Sequence, residues 1–349
     1  MESTADADRL AARLAAYLDA LRRAFETLDL RQPEVARAAL LAARRTEGEA
    51  LRGACGALAA DDAPLALALR TAADEAEASA SRLLGPVTGD VGVTILAARR
   101  AYARALAAVY PWAARLPALD AWWREAGVPP RDPAPGEAAR GVIPHPPGGG
   151  HAGYALYVPE DYRPTSPRPL LVALHGAYGD GAEYVWTWVT AARSHGWLVL
   201  APKSRDVTWS LLDPAVDIAN LRAAVAEVQA GYLVDAERLW LTGLSDGGSF
   251  SYVAGLSCPS LFRSVAPVAG VLHPVTDRLL RAKQGLEVPL CIVHGARDPI
   301  FDVRGVRSTT ALLQKLGYRV DYHELPDWAH AWTDDINLRL LRPWFAALT

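Results

Sequence analysis

The sequence contains a serine with the neighbours that an enzymatic nucleophile requires. Gly243, Ser245 and Gly247 form a G-x-S-x-G pattern, which follows the apolar run 239–242 and precedes a stretch of helical composition. In a strand–turn–helix of this kind the serine occupies a tight, strained turn, and the glycines leave room around an exposed hydroxyl. The pattern therefore predicts that Ser245 is a nucleophile at the end of a strand.

A serine hydroxyl needs a base to become a nucleophile, and the base needs a carboxylate that orients it. In a strand–turn–helix arrangement of this type the carboxylate follows the serine along the chain and the histidine comes last. Asp298 follows the predicted strand 289–293, and His330 follows the predicted strand 319–324. Both residues should therefore lie on the same sheet edge as Ser245, and we predict that they are its partners.

Other residues compete for these two roles. Asp302 lies further from its strand end than the preferred aspartate, and Asp327 shares a loop with the preferred histidine. His323 falls inside a predicted strand, which favours a packed or edge histidine. His294 ends a strand directly before a glycine, which favours a structural role in the following loop.

Acyl transfer also needs N–H donors for the oxyanion that forms on the attacked carbonyl. The backbone N–H of Asp246 is the first candidate, because this residue follows the predicted nucleophile. The second donor should come from the loop after the strand 169–174, where residues 174–181 read L-H-G-A-Y-G-D-G. Ala177 is the predicted donor in this loop, with Tyr178 next in line.

Several tryptophans follow the same predicted strand ends. Aromatic rings provide a large apolar surface at a low cost in conformational entropy, so part of this group is expected to line an acyl or aryl pocket. The candidates are Trp186, Trp209, Trp328 and Trp332. Arg205 could attract a carboxylate on the substrate, although a structural ion pair is the simpler interpretation.

These residues need a scaffold, and the second part of the chain supplies one. Short apolar runs alternate there with helix-like segments, which predicts an α/β fold with a mostly parallel sheet and helices on both faces. The predicted strands are 153–158, 169–174, 197–201, 238–242, 264–268, 289–293 and 319–324. The predicted helices lie near 182–194, 217–230, 246–256, 304–316 and 331–347. Residues 141–143 are predicted to form a hairpin with 154–158.

The first part of the chain differs in composition and predicts a separate all-α domain. This domain is predicted over residues 1–126. Residues 5–125 are rich in Ala, Leu, Arg and Glu, and apolar residues recur at helical spacing, as in Leu10, Leu14, Leu18 and Leu21. We expect four or five helices packed as a bundle, then a Pro-rich linker over 127–140 and an α/β domain over 141–349. The aromatic cluster at Tyr110, Trp112, Trp122 and Trp123 suggests that the bundle either caps the catalytic domain or mediates a homo-oligomer.

The overall composition excludes several classes of protein. The 349 residues carry 36 basic and 39 acidic side chains, a net charge of −3, which argues against a nucleic-acid binder. The three cysteines are widely spaced, so neither a disulfide framework nor a cysteine zinc site is expected. Acidic residues occupy the start of the chain where a signal peptide needs basic ones, and no long apolar run follows. We therefore expect a cytoplasmic protein without a membrane span.

The combined motifs resemble the α/β-hydrolase superfamily, and within it the bacterial phospholipase/carboxylesterase group, which includes relatives of the acyl-protein thioesterases. The resemblance rests on residues 174–180, 243–248, 294–299 and 329–330, and on the pattern Ser204-Arg205, Thr208-Trp209 and Asp217. Feruloyl esterases and polyhydroxybutyrate depolymerases are neighbouring groups. The resemblance covers about residues 140–349. It implies a nucleophilic Ser245, the partners Asp298 and His330, and oxyanion donors at Ala177 and Asp246.

We therefore expect a serine esterase that cleaves small to medium carboxylic esters through an acyl-enzyme and requires no metal or organic cofactor. A thioesterase, a feruloyl esterase or a polyester hydrolase would use the same mechanism. A non-catalytic scaffold that acts through the helical domain is the alternative from a different class. Intact candidates for the triad and for both oxyanion donors argue against a scaffold.

Overall fold

The computed structural model describes residues 2–29, 34–55, 63–86, 90–136, 138–331 and 333–348. Contacts between Cα atoms divide the chain into two compact units, Met1–Pro129 and Pro130–Thr349. Each unit has its own secondary structure and its own buried side chains. The first is helical, and the second contains the sheet.

The first unit is built from helices whose apolar stripes face inward. The stripe identified from the sequence, Leu10, Leu14, Leu18 and Leu21, is at most 4% exposed. Tyr110 and Trp123 pack edge to face, with ring centroids 4.9 Å apart. The helices are α1 (Glu2–Glu26), α2 (Glu34–Ala43), α3 (Glu49–Cys55), α4 (Ala63–Leu84), α5 (Val91–Val109) and α6 (Pro117–Trp122). A π-helical turn, Arg44–Gly48, joins α2 to α3, and a 3-10 turn, Tyr110–Arg115, follows α5.

The second unit contains an eight-stranded sheet with the order β1-β2-β4-β3-β5-β6-β7-β8. The strands are β1 (Gly141–His145), β2 (Tyr154–Val158), β3 (Arg168–Leu174), β4 (Leu198–Pro202), β5 (Val234–Leu244), β6 (Ser264–Val268), β7 (Leu290–Gly295) and β8 (Val320–Leu325). Strand β2 is antiparallel to both of its neighbours, and β3 to β8 run parallel to one another. The predicted α/β fold with a mostly parallel sheet is confirmed.

Helices cover this sheet because the connections between parallel strands must cross over it. They are α7 (Gly181–Tyr184), α8 (Trp186–His195), α9 (Pro214–Gly231), α10 (Asp246–Ser257), α11 (Asp277–Arg281), α12 (Val303–Leu316), α13 (Asp334–Ile336) and α14 (Arg342–Ala346). Strands β2, β4 and β6 are buried along their whole length, which explains why their sequences read as continuous apolar runs rather than as alternation.

The C-terminal helix is more broken than predicted. The segment expected as one helix over 331–347 consists of α13, a π-helical turn at Asn337–Leu341 and α14. Pro343 occupies the first turn of α14. It has no N–H to donate to the preceding turn, so a regular helix cannot continue through it.

The parallel arrangement places the ends of strands β3 to β8 on one edge of the sheet. Four of them, β3, β5, β7 and β8, precede the candidate site loops and end at Leu174, Leu244, Gly295 and Leu325. The loops that follow them therefore emerge on that same edge, where the sites of open α/β sheets are found. Within the described ranges, no helix has the length and apolarity needed to cross a bilayer.

Candidate active site

Ser245 occupies a strained turn between β5 and α10. Its backbone has φ 60° and ψ −118°, which is unusual for a residue other than glycine. Two hydrogen bonds hold this conformation. The Ser245 N–H donates to the Val268 carbonyl at 3.0 Å, and the Ser245 carbonyl accepts the Ser249 N–H at 2.8 Å. A strained conformation fixed by its surroundings is characteristic of functional sites.

The two glycines of the motif are required by close backbone approaches. A Cβ atom on Gly243 would lie 2.3 Å from the Gly247 carbonyl oxygen. A Cβ atom on Gly247 would lie 2.4 Å from the carbonyl oxygens of both Leu174 and His175. Strand β5, helix α10 and the end of β3 can therefore pack this closely only if both positions are glycine.

This packing predicts a large effect of one added methyl group. Gly247→Ala should destabilise the fold by about 1–3 kcal/mol or more, because the obstructing atoms belong to the backbone and cannot rotate away. Gly305→Ala is the matched control: a Cβ atom there meets nothing within 4 Å, and alanine favours the helix α12 by up to about 1 kcal/mol. Thermal unfolding of both variants tests this, and equal melting temperatures would contradict the close approach.

Asp298 and His330 form a hydrogen-bonded pair on the loops after β7 and β8. His330 Nδ1 lies 2.7 Å from Asp298 Oδ2. The other carboxylate oxygen, Oδ1, accepts the backbone N–H groups of Ile300 at 2.8 Å and Phe301 at 2.9 Å. The Asp298 side chain is fully buried, and that of His330 is 11% exposed. The structure thus brings together the two residues that the sequence singled out.

The surroundings of Asp298 determine its charge. Burial alone would raise its pKa, but the hydrogen bond and the charge of His330, together with the two backbone N–H groups, hold the pKa of Asp298 below its usual value. Asp298 is therefore a carboxylate at neutral pH and can only accept hydrogen bonds. His330 consequently donates through Nδ1, which leaves Nε2 as the atom that can accept a proton.

The competing residues have other partners. Asp302 is the N-cap of α12 and accepts the Arg304 N–H at 2.9 Å. Its hydrogen bonds with the Arg304 side chain and backbone lower the pKa of Asp302 to about 2. Asp327 is exposed and pairs with Arg297 at 3.0 Å. His323 lies within β8.

His294 supports the loop that carries Asp298. Its ring is fully buried, and Nε2 donates to the Phe301 carbonyl at 2.9 Å and lies 3.5 Å from Asp298 Oδ2. The bond from His294 to the Phe301 carbonyl and the bond from the Phe301 N–H to Asp298 Oδ1 both stabilise the backbone turn that follows Asp298. The sequence indicated the structural role of His294 but gave no sign of Phe301.

The loop after β3 lies against Ser245. A Cβ atom on Gly176 would be 3.4 Å from Ser245 Cβ and 3.9 Å from its Oγ. Ala177 is the next residue of this loop. Asp246 is the first residue of α10, and the N–H of a first helical residue has no carbonyl partner within its own helix. Ala177 and Asp246 stay the predicted oxyanion donors.

The expectation for Tyr178 is corrected by the structure. Its N–H donates to the Val207 carbonyl at 2.7 Å, so it is not available to an oxyanion. Tyr178 has φ 57°, and its side chain is 61% exposed. The backbone turns away at this residue, and only Ala177 remains as the candidate from this loop.

Two of the expected pocket tryptophans are buried. Trp209 is 1% exposed, donates its indole N–H to the His175 carbonyl at 2.8 Å and stacks on Phe250. Trp186 is 6% exposed in the first turn of α8. Trp209 is bonded and stacked inside the core, so its placement as a pocket wall was wrong. The placement of Trp186 stays a prediction. Trp328 is partly buried and stays a pocket prediction, and Trp332 lies outside the described residues.

Arg205 has a different partner from the one expected. The Arg205 side chain is hydrogen-bonded to the Gly150 carbonyl rather than to an acidic side chain, so the expected ion pair is replaced by a backbone contact. In the part of the chain that the structure describes, no three His, Cys, Asp or Glu side chains are grouped so as to hold a metal ion.

Comparison with known proteins finds one matching family and several relatives of part of this chain. Residues 217–337 match the family described as Phospholipase/Carboxylesterase. A probable feruloyl esterase C of Aspergillus oryzae is 27% identical over 161 residues, which is 44% of this chain and 57% of that protein. Acyl-protein thioesterase 1 of Gibberella zeae is 29% identical over 108 residues, 30% of this chain and 45% of that protein. The chain therefore spans only about half the length of these relatives.

A similar solved structure is FphF, a fluorophosphonate-binding serine hydrolase of Staphylococcus aureus. It is 13% identical, with a TM-score of 0.49 over 61% of this chain and 99% of that one. The family match lies wholly inside the second unit and includes the two loops that carry Asp298 and His330. The unit Pro130–Thr349 thus has the mostly parallel sheet and the strained serine turn typical of the α/β-hydrolase fold, and its residues 217–337 are similar to the phospholipase/carboxylesterase family.

Proposed function

We propose that this chain is a serine esterase that hydrolyses small to medium carboxylic esters through an acyl-enzyme. The observation that carries the proposal is the 2.7 Å contact between His330 Nδ1 and Asp298 Oδ2, on the same sheet edge as the strained turn at Ser245. Nucleophile, base and orienting carboxylate have the chain order of the α/β-hydrolases. The relatives named as feruloyl esterase and acyl-protein thioesterase both cleave acyl bonds.

The first half of the reaction forms the acyl-enzyme. His330 Nε2 takes the proton of the Ser245 hydroxyl as Oγ attacks the ester carbonyl carbon. The negative charge on the carbonyl oxygen is stabilised by the N–H groups of Ala177 and Asp246. Asp298 holds the imidazole orientation and stabilises the imidazolium. The tetrahedral intermediate then expels the alcohol, which receives its proton from His330.

The second half releases the acid by the same steps. Water replaces the alcohol, and His330 Nε2 removes one of its protons as the oxygen attacks the acyl carbon. The oxyanion forms again at Ala177 and Asp246. Collapse of this intermediate breaks the bond to Ser245 Oγ, and His330 returns the proton to that oxygen. The carboxylic acid leaves, and the free enzyme is restored.

A substrate panel tests the proposed function. We expect turnover of p-nitrophenyl esters from acetate to octanoate, and labelling of the protein by a fluorophosphonate probe. A feruloyl ester and an acyl thioester in the same panel separate the alternatives, because the preferred substrate class should have the highest kcat/KM. A protein that neither labels nor turns over any of these compounds would contradict an esterase and favour the scaffold hypothesis.

A further inference from the structure

The segment between β4 and α9, residues 203–213, is hydrogen-bonded to the loop after β3, which contains Ala177, and to Asp246 at the start of α10. We propose that this segment sets the geometry of the oxyanion site, with Thr208 in the segment and Asp217 on α9 as positioning residues. The inference rests on the proposed function. It adds residues that act through Ala177 and Asp246 rather than on the substrate.

The segment first holds the loop after β3. Ser204 donates its N–H to His175 Nε2 at 3.1 Å, and His175 therefore donates through Nδ1 to the Gly176 carbonyl at 2.7 Å. Burial lowers the pKa of His175, which favours this neutral form. The Gly176 carbonyl and the Ala177 N–H belong to one planar trans peptide and point in opposite directions. Fixing the carbonyl therefore fixes the direction of the donor.

Two more contacts hold the peptides on either side. The Trp209 indole N–H donates to the His175 carbonyl at 2.8 Å. The Val207 carbonyl accepts the Tyr178 N–H at 2.7 Å. The peptide that contains the Ala177 N–H is thus flanked by peptides that the segment holds directly. This donor has little freedom to rotate as long as the segment stays in place.

The segment also holds the start of α10. The Thr208 hydroxyl donates to Asp246 Oδ2 at 2.6 Å. Asp246 places a carboxylate one residue after the proposed nucleophile, where its negative charge would oppose the developing oxyanion. The hydrogen bond from Thr208 compensates part of this charge. It also keeps Asp246 Oδ2 away from the N–H groups at the start of α10, which attract a carboxylate oxygen. One of them, the Asp246 N–H, is the proposed oxyanion donor.

Asp217 anchors the segment from α9. Its side chain is fully buried, Oδ1 accepts the Arg205 N–H at 2.9 Å, and Oδ2 accepts the Ser210 N–H at 2.8 Å. These two bonds bracket Val207, Thr208 and Trp209, which bond to the loop after β3 and to the start of α10. A buried carboxylate whose two oxygens both accept backbone N–H groups holds those backbone groups in place, since each N–H would otherwise lack a partner.

The test compares Thr208→Val, Thr208→Ser and the control Thr309→Val on α12. Valine keeps the shape of threonine but removes the hydroxyl donor. We expect Thr208→Val to lower kcat about tenfold, the equivalent of one ordinary hydrogen bond, with KM changed less than about twofold. The affinity for a trifluoromethyl ketone, which forms a tetrahedral adduct with serine, should fall by the same factor. Thr208→Ser should restore both values, and Thr309→Val should match the wild type.

Active-site titration with the fluorophosphonate separates positioning from folding. If Thr208→Val only reduces the titrated fraction, while kcat per titrated site and ketone affinity stay at wild-type values, the positioning role is overturned. Unchanged values in a fully titrated Thr208→Val protein overturn it as well. A wild-type protein that neither labels nor hydrolyses esters contradicts the proposed function itself, and the inference falls with it. An active wild type with an unaffected Thr208→Val contradicts the inference alone.

Discussion

Replacement of Ser245 by alanine is expected to lower kcat by about 10³-fold or more, because the remaining partners have no nucleophile to activate. The fold should persist. The backbone bonds of Ser245 to Val268 and Ser249 use only main-chain atoms of residue 245, and alanine keeps the same backbone. Initial rates with p-nitrophenyl butyrate, together with the melting temperature, measure the two effects separately.

Ser308→Ala is the matched control for this experiment. Ser308 lies on α12, and its hydroxyl donates to the Arg304 carbonyl at 2.9 Å on an exposed surface. This variant should label with the fluorophosphonate and turn over substrate as the wild type does, whereas Ser245→Ala should do neither. A Ser245→Ala protein that still labels at full stoichiometry would show that another residue is the nucleophile.

Much of the site geometry could be anticipated from the sequence, because it depends on local order along the chain. A serine between two glycines after an apolar run predicts a tight strand–turn–helix, and the backbone at Ser245 has φ 60°. The sequence also indicates Asp298 and His330, because each follows an apolar run. In a parallel sheet, residues that follow strands necessarily reach the same edge, so the order of strands did not need to be known.

The predictions that the structure corrects, for Tyr178 and Trp209, concern roles that depend on the packing of segments distant in sequence. Tyr178 and Trp209 stood at favourable places in the chain, but hydrogen bonds from another loop decide their roles. The Val207 carbonyl takes the N–H of Tyr178, and the His175 carbonyl takes the indole N–H of Trp209. Neither partner is close in sequence, and no periodicity encodes such contacts. The same limit explains why Thr208 and Asp217 entered only through a resemblance.

For the organisation of the whole chain, the sequence predicts the helices better than it predicts how the domains are connected or covered. The apolar stripe of α1 identified a helical region, since a spacing of three to four residues places side chains on one helix face. The break at Pro343 could have been read from the missing N–H of proline. The expected linker at 127–140, the cap and the homo-oligomer stay predictions, because a stripe shows which face is buried but not what covers it.

The second large effect on kcat is expected for Asp298→Asn, because Asp298 rather than Asp302 is the predicted orienting carboxylate. Asparagine at position 298 can still accept the N–H groups of Ile300 and Phe301 with its one oxygen. Its NH₂ group then faces His330 Nδ1, and two donors cannot share a hydrogen bond. The imidazole must become an acceptor at Nδ1 and carry its proton on Nε2, so it cannot take the proton of Ser245. We expect Asp298→Asn to lower kcat by about 10³- to 10⁴-fold.

Asp302→Asn applies the same chemical change four residues further along. Asp302 caps α12 through the Arg304 N–H, and asparagine is as good an N-cap as aspartate. Its pair with Arg304 is largely exposed, so losing that charge should change stability little. Activity and melting temperature should therefore stay close to those of the wild type. Kinetics of both variants on one ester decide the assignment: a damaging Asp302→Asn beside a mild Asp298→Asn would show that the orienting carboxylate is Asp302, since only the residue that fixes the imidazole tautomer can have the larger effect.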